Sequence, residues 1–125
     1  MLYKGSCHCK AVKFEVELPD CIEVDNCNCS ICAKSGVLHL IVPARDFSLL
    51  SGRDAITTYT FNTGMAKHTF CKICGVKSFY TPRSNPDGIS VNFNCLDSVP
   101  DDVRIVDFDG QNWEQHAHKL AHKSQ

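Results

Sequence analysis

A chain of 125 residues with 13 Lys and Arg, 14 Asp and Glu and a formal net charge of −1 fits one domain, 1–125. It leaves no general basic field to draw the protein to nucleic acid or to an acidic membrane. The opening MLYKGSCHC has no long apolar run, which predicts neither signal peptide nor transmembrane segment. Nine cysteines without an export signal predict thiolate-bound metal in a reducing compartment, cytoplasmic with the nucleus also open to it, in place of a disulfide framework.

AVKFEVEL (11–18) alternates Val12, Phe14, Val16 and Leu18 with charged residues, the period of a half-buried strand. Pro19 and Asp20 stop it. Cys21 reads as a loop thiol. HLIVP (39–43) and FSLL (47–50) are short strands, with a turn at Ser51-Gly52. ITTYTF (56–61) is a strand by its β-branched and aromatic content, and NTG (62–64) turns it into KHTF (67–70). KSFYT (77–81) is ended by Pro82, PRSNPDG is a loop, and ISVNF (89–93) and VRIVDF (103–108) complete the strands. Only the C-terminus reads as helical. Asn112 with Gln115 suggests a capping box, and Trp113, Ala117, Leu120 and Ala121 fall on one face. The fold class is mainly β, with short strands, cysteines at the turns and a C-terminal helix.

Seven cysteines form three groups: Cys7 and Cys9; Cys27, Cys29 and Cys32; Cys71 and Cys74. Neighbours in Cys-x-Cys are badly placed to bond to each other, yet both can face one ion. In CKICG a Cys-x-x-Cys turn brings two sulfurs to one tetrahedral site, and Gly75 can take the positive φ such turns need. The two pairs combine naturally into a closed four-sulfur zinc site, Cys7, Cys9, Cys71 and Cys74. Cys27, Cys29 and Cys32 then form a trio one ligand short, the pattern of a catalytic zinc. Spacing leaves other groupings open: Cys27 and Cys29 can join Cys71 and Cys74, and His8, His68 or Cys95 can fill a fourth position. Iron–sulfur spacings match poorly.

GSCHCKAVKFEV, CNCSIC, TYTFNTGMAKHTFCKICGVKSFYTPRSNPDGI and CLD (95–97) together resemble the glutathione-dependent formaldehyde-activating family, over roughly residues 4 to 115. The likeness is strongest to its animal branch, the centromere protein V type. The resemblance implies an Mss4-like fold of several small twisted antiparallel β-sheets around zinc sites. It also implies two Zn2+ per chain, one structural (Cys7, Cys9, Cys71, Cys74) and one catalytic (Cys27, Cys29, Cys32). The implied reaction joins glutathione and formaldehyde to S-(hydroxymethyl)glutathione, a carbon–sulfur lyase in reverse. Glutathione and formaldehyde are then the expected partners, with no nucleic acid and no membrane; the sequence leaves the oligomeric state open. Glutathione carries carboxylates, so a basic anchor is expected among Lys34, Lys67, Arg45, Arg53 and Arg83, with Lys34 favoured because it follows the trio by two residues. His39, His68 and Tyr80 are candidates to deliver a proton. The alternative is a non-catalytic zinc module that binds a protein partner, marked by a fourth protein ligand on the second ion.

Overall fold

The computed structural model describes residues 1–125. Ten strands form three sheets. β1 (Leu2–Ser6), β2 (Lys13–Glu17) and β5 (Phe47–Ser51) make an antiparallel sheet in the order β1-β2-β5. β3 (Cys21–Cys27), β4 (His39–Pro43), β8 (Phe79–Tyr80), β9 (Gly88–Asn92) and β10 (Asp102–Phe108) make a second, ordered β10-β3-β4-β9-β8. β6 (Ile56–Tyr59) and β7 (His68–Cys71) form a separate hairpin. β10 runs parallel to β3, from Asp102 opposite Cys21 to Phe108 opposite Cys27, so the large sheet is mixed where an antiparallel one was expected.

The first two sheets pack face to face. Tyr3, Phe14 and Val16 of one meet Ile22, Val24, Leu40, Val42 and Val91 of the other in the main core. The alternation of residues 12–18 is borne out, with all four apolar members buried. Gly5 is required in β1: a Cβ there would collide with the Phe14 ring and the Cys95 carbonyl.

Four expectations change. β1 and β3 are strands that the pattern did not reveal, because Gly5, Asp25 and Asn26 have low strand propensity. Cys21 accordingly begins β3 instead of lying in a loop. A helix, α1 (Ser30–Ser35), follows the trio's Cys29 and ends at left-handed Gly36, φ 70°. The C-terminal helix is α-helical only over α2 (Trp113–His116) and continues as 3-10 helix over Ala117–Ser124. Asn112 makes no capping bond; its amide donates to Asp109 Oδ2 at 2.7 Å instead.

That 3-10 segment is tied down from below. Asn85, 1% exposed, donates through Nδ2 to the Leu120 carbonyl and to Ser124 Oγ, both at 2.9 Å. Leu120 packs with Ile41 and Phe108, and Trp113 and Cys27 border the same cluster. The C-terminus is thereby a strap laid across the large sheet beside the trio. No helix is long and apolar enough to cross a membrane.

Candidate metal centres and an adjoining cavity

All nine cysteines are free. Seven of them gather into two groups whose sulfurs lie within 4.8 Å of one another: Cys7, Cys9, Cys71 and Cys74; and Cys27, Cys29 and Cys32. The alternative groupings left open by the spacing do not occur.

The four-sulfur group is built from two similar turns. Cys7 N donates to the Val12 carbonyl and Cys71 N to the Val76 carbonyl, each at 3.0 Å. Each turn needs a residue in the left-handed region, Lys10 at φ 67° in one and Gly75 at φ 78° in the other. Cys7 and Cys9 Sγ are 3.7 Å apart, as are Cys9 and Cys71 Sγ. Four sulfurs at about 2.3 Å from a tetrahedral zinc would be about 3.8 Å apart, so the observed spacing fits the ion. Backbone N–H groups of Cys9 and Val76 aimed at Cys74 bring its thiol down to about 6. The N–H of Cys74, assisted by that of Ile73, lowers Cys71 likewise. Val12 and Ala55 pack against the buried Cys7 and Cys71, while Cys9 is exposed and Cys74 half-buried.

The trio is assembled from three local features. Cys27 ends β3, Cys29 caps α1, and Cys32 lies in its first turn. The amide of Cys29 faces Cys27 sulfur, and that of Cys32 faces Cys29 sulfur. Crowding sets the three thiols against each other. Hydrogen bonds from Cys27 and Cys32 bring Cys29 down to about 2, while Cys27 and Cys29 push Cys32 far up. Three thiolates together need a cation, which is the demand a zinc ion meets. No further His, Cys, Asp or Glu atom joins the trio within that distance.

Gly110 presses on this group. A Cβ there would collide with Cys27 Sγ and lie 2.9 Å from Cys29 Cβ. The parallel pairing of β10 with β3, which ends at Phe108 opposite Cys27, is what delivers residue 110 to this place.

Behind the trio stands a buried polar chain. His39 Nε2 is 3.1 Å from Cys32 Sγ. Its Nδ1 faces Ser90 Oγ at 3.1 Å and the Tyr80 hydroxyl at 3.0 Å. With Cys32 as a metal-binding thiolate, which only accepts, Nε2 carries the ring proton and donates to the sulfur, and Nδ1 accepts from a hydroxyl. Burial, then the Lys77 charge, lowers His39 to about 4 and keeps it neutral.

The trio opens on a cavity of about 400 Å³, within the range of small-molecule sites. His39, His68 and Tyr80 line it from the sheets, Phe61, Asn62 and Thr63 from the β6–β7 turn, Arg83 and Ser84 from the loop before β9, and Gln111, Trp113 and Leu120 from the strap. Arg83 stacks on Trp113, its guanidinium carbon 3.8 Å from the ring centre. Lys34 is exposed on α1 and is not among the lining residues.

The sequence pattern of the glutathione-dependent formaldehyde-activating enzyme family matches residues 2–114. The chain belongs to this family. A Halomonas elongata protein provisionally named a glutathione-dependent formaldehyde-activating enzyme is 51% identical over 35 residues, 28% of this chain and 22% of that relative. The chain thus matches about a fifth of that relative's length. A crystal structure of a Rhodobacter sphaeroides protein is 35% identical and superposes with a TM-score of 0.70, covering 82% of this chain and 99% of that one. The family resemblance and the mainly β, several-sheet fold expected from the sequence are both borne out.

Sequence reasoning within the family picked all seven clustered cysteines. It missed Asp25, Lys77, Ser90, Gly110 and the strap as parts of the site. Ser90 and Asn92 were legible as same-face positions of ISVNF, but nothing local marked that face as buried.

Proposed function

We propose that this protein joins a thiol, glutathione, to formaldehyde to give S-(hydroxymethyl)glutathione, and in reverse cleaves that carbon–sulfur bond. In this reading Cys7, Cys9, Cys71 and Cys74 hold a structural zinc, and Cys27, Cys29 and Cys32 hold a catalytic one. The observation that carries the reading is a three-sulfur group, with no fourth protein donor, at the wall of a small-molecule cavity. A protein-binding module with two closed sites would call for that fourth donor. Family membership supports formaldehyde activation as the chemistry.

Zinc at the trio, when bound, supplies a fourth coordination position that keeps a substrate thiol ionised near neutral pH. The chain's own residues supply the rest. His39 steadies Cys32 through the bond from Nε2, fixing the sulfur's direction. Phe61 and Trp113 narrow the cavity and displace water from the reacting carbon. Arg83, stacked on Trp113, is the carboxylate anchor for glutathione in place of Lys34. Addition forms a C–S bond, and the carbonyl π pair becomes an oxygen lone pair that must acquire a proton.

Cys29→Ser in the zinc-loaded protein tests this. The expected variant keeps one zinc per chain and a folded β spectrum, and no longer accelerates exchange between glutathione, formaldehyde and the adduct, measured by exchange NMR. Wild-type acceleration in that variant would remove the catalytic role of the trio.

A further inference from the structure

We propose that His68, backed by Lys77, is the proton donor of this reaction. The inference rests on the thiol-addition reading above and assigns the step that reading leaves without an actor.

Of the three candidates for the step, two are already committed. Both ring nitrogens of His39 are engaged, Nε2 with Cys32 and Nδ1 with Ser90 and Tyr80. The Tyr80 hydroxyl is engaged by His39 and Ser90, and burial holds its proton well above the ordinary phenol range. His68 is different. Its Nδ1 receives Lys77 Nζ at 2.6 Å, while its Nε2 has no protein partner. No buried side-chain nitrogen or oxygen in the chain lacks a partner, so Nε2 is not sealed off. His68 is only 5% exposed and lines the cavity, and Nε2 therefore reaches that space.

The ring is held in place by its neighbours. His68 stacks on Tyr80 (centroids 5.0 Å apart, planes 15°) and on Phe61 (5.4 Å, 21°). Lys77 Nζ sits 3.8 Å from the Tyr80 ring centre, and no Asp or Glu forms an ion pair with it. An ammonium without a carboxylate, directed at an imidazole nitrogen, fixes the tautomer: Nδ1 accepts and Nε2 carries the proton. Burial brings Lys77 down to about 8, and burial followed by the Lys77 charge brings His68 to about 4. The pair therefore works as neutral imidazole and ammonium near neutral pH.

The step balances without a further reactant. The thiolate sulfur forms its bond to the formaldehyde carbon, and the C=O π pair moves onto oxygen. That oxygen takes the Nε2 proton of His68. Nδ1 takes a proton from Lys77, which leaves a neutral amine and the other imidazole tautomer. A solvent proton then enters at Nε2 from the cavity and the Nδ1 proton returns to Lys77, which restores the starting tautomer and replaces the proton the thiol lost on ionising. The reverse cleavage runs the same path backwards.

The test uses the zinc-loaded full chain. Lys77→Ala should lower the catalysed rate constant on the order of 10²-fold, the lower end for general acid catalysis, with KM for glutathione and the zinc content unchanged. Small alkylammonium ions should restore the rate in that variant, which loss of a purely structural lysine would not allow. In the wild type, 15N NMR should show His68 protonated on Nε2 with an acceptor-type Nδ1 at pH 7, a measurement that needs no variant. A wild-type rate in Lys77→Ala, a loss that no amine restores, or a proton on Nδ1 of His68 in the wild type would each overturn the proposal. If the wild type itself gives no acceleration, the thiol-addition reading fails instead.

Discussion

Removing the Lys123 charge should destabilise the fold and loosen one wall of the cavity. Lys123 Nζ lies 2.9 Å and 3.1 Å from the two Asp25 carboxylate oxygens and 3.0 Å from Glu23 Oε1. The Lys123 and Asp25 side chains are 10% and 5% exposed, whereas Glu23 is 44% exposed. The Glu23 contact is thus largely screened and contributes little. Asp25 differs, because burial raises its pKa even against the pull of Lys123. Lys123→Met leaves that carboxylate buried and unpaired, a change that costs about 3 kcal/mol, the lower end for a broken buried pair. With a urea m-value of about 1.5 kcal/mol/M the midpoint should fall by about 2 M, at fixed free zinc.

The pH dependence has a definite sign. Without Lys123 the folded-state pKa of Asp25 rises further above its unfolded value of about 3.9. The destabilisation is then fully present above the raised folded pKa. It shrinks as pH falls from there towards the unfolded value, because the folded chain takes up the proton first. The gap between variant and wild type should therefore narrow on acidification, and Lys123→Met with Asp25→Leu should recover most of the loss at pH 7.5. A single variant within about 0.5 kcal/mol of wild type, the scatter of ordinary surface substitutions, would refute the reasoning. So would a double variant as unstable as the single one.

Gly110→Ala should weaken zinc binding at the trio by about 10-fold or more, read by chelator competition, because the added Cβ collides with Cys27 Sγ; equal affinity would count against that contact. Cys71→Ser should abolish the folded near-UV spectrum. A structural zinc contributes about 10 kcal/mol or more, comparable to the whole stability of a domain, whereas Cys29→Ser should leave the spectrum intact. Arg83→Met should raise KM for glutathione about 10-fold, worth about 1.4 kcal/mol, and leave KM for cysteamine, which has no carboxylate, unchanged. Equal effects on both thiols would remove Arg83 as an anchor.

The sequence by itself determined the ligand chemistry and the local turns. Cys-x-Cys, Cys-x-x-Cys and Gly75 are short-range features, and the geometry they impose spans only a few residues, so their spacing was enough to foresee sulfur-bound metal, while which pairs combine was left open by spacing and is decided by the fold. The alternation of residues 12–18 likewise states which side of β2 is buried. Tertiary structure alone decided what surrounds the trio. Gly110 reaches Cys27 because β10 pairs in parallel with β3, 81 residues away along the chain for Asp102 and Cys21. Lys123 meets Asp25 across 98 residues, and Lys77 meets His68 because the hairpin folds back towards β8. Such contacts depend on how sheets pack and on which polar groups burial forces together. Those are properties of the whole chain, and no local pattern of residues encodes them.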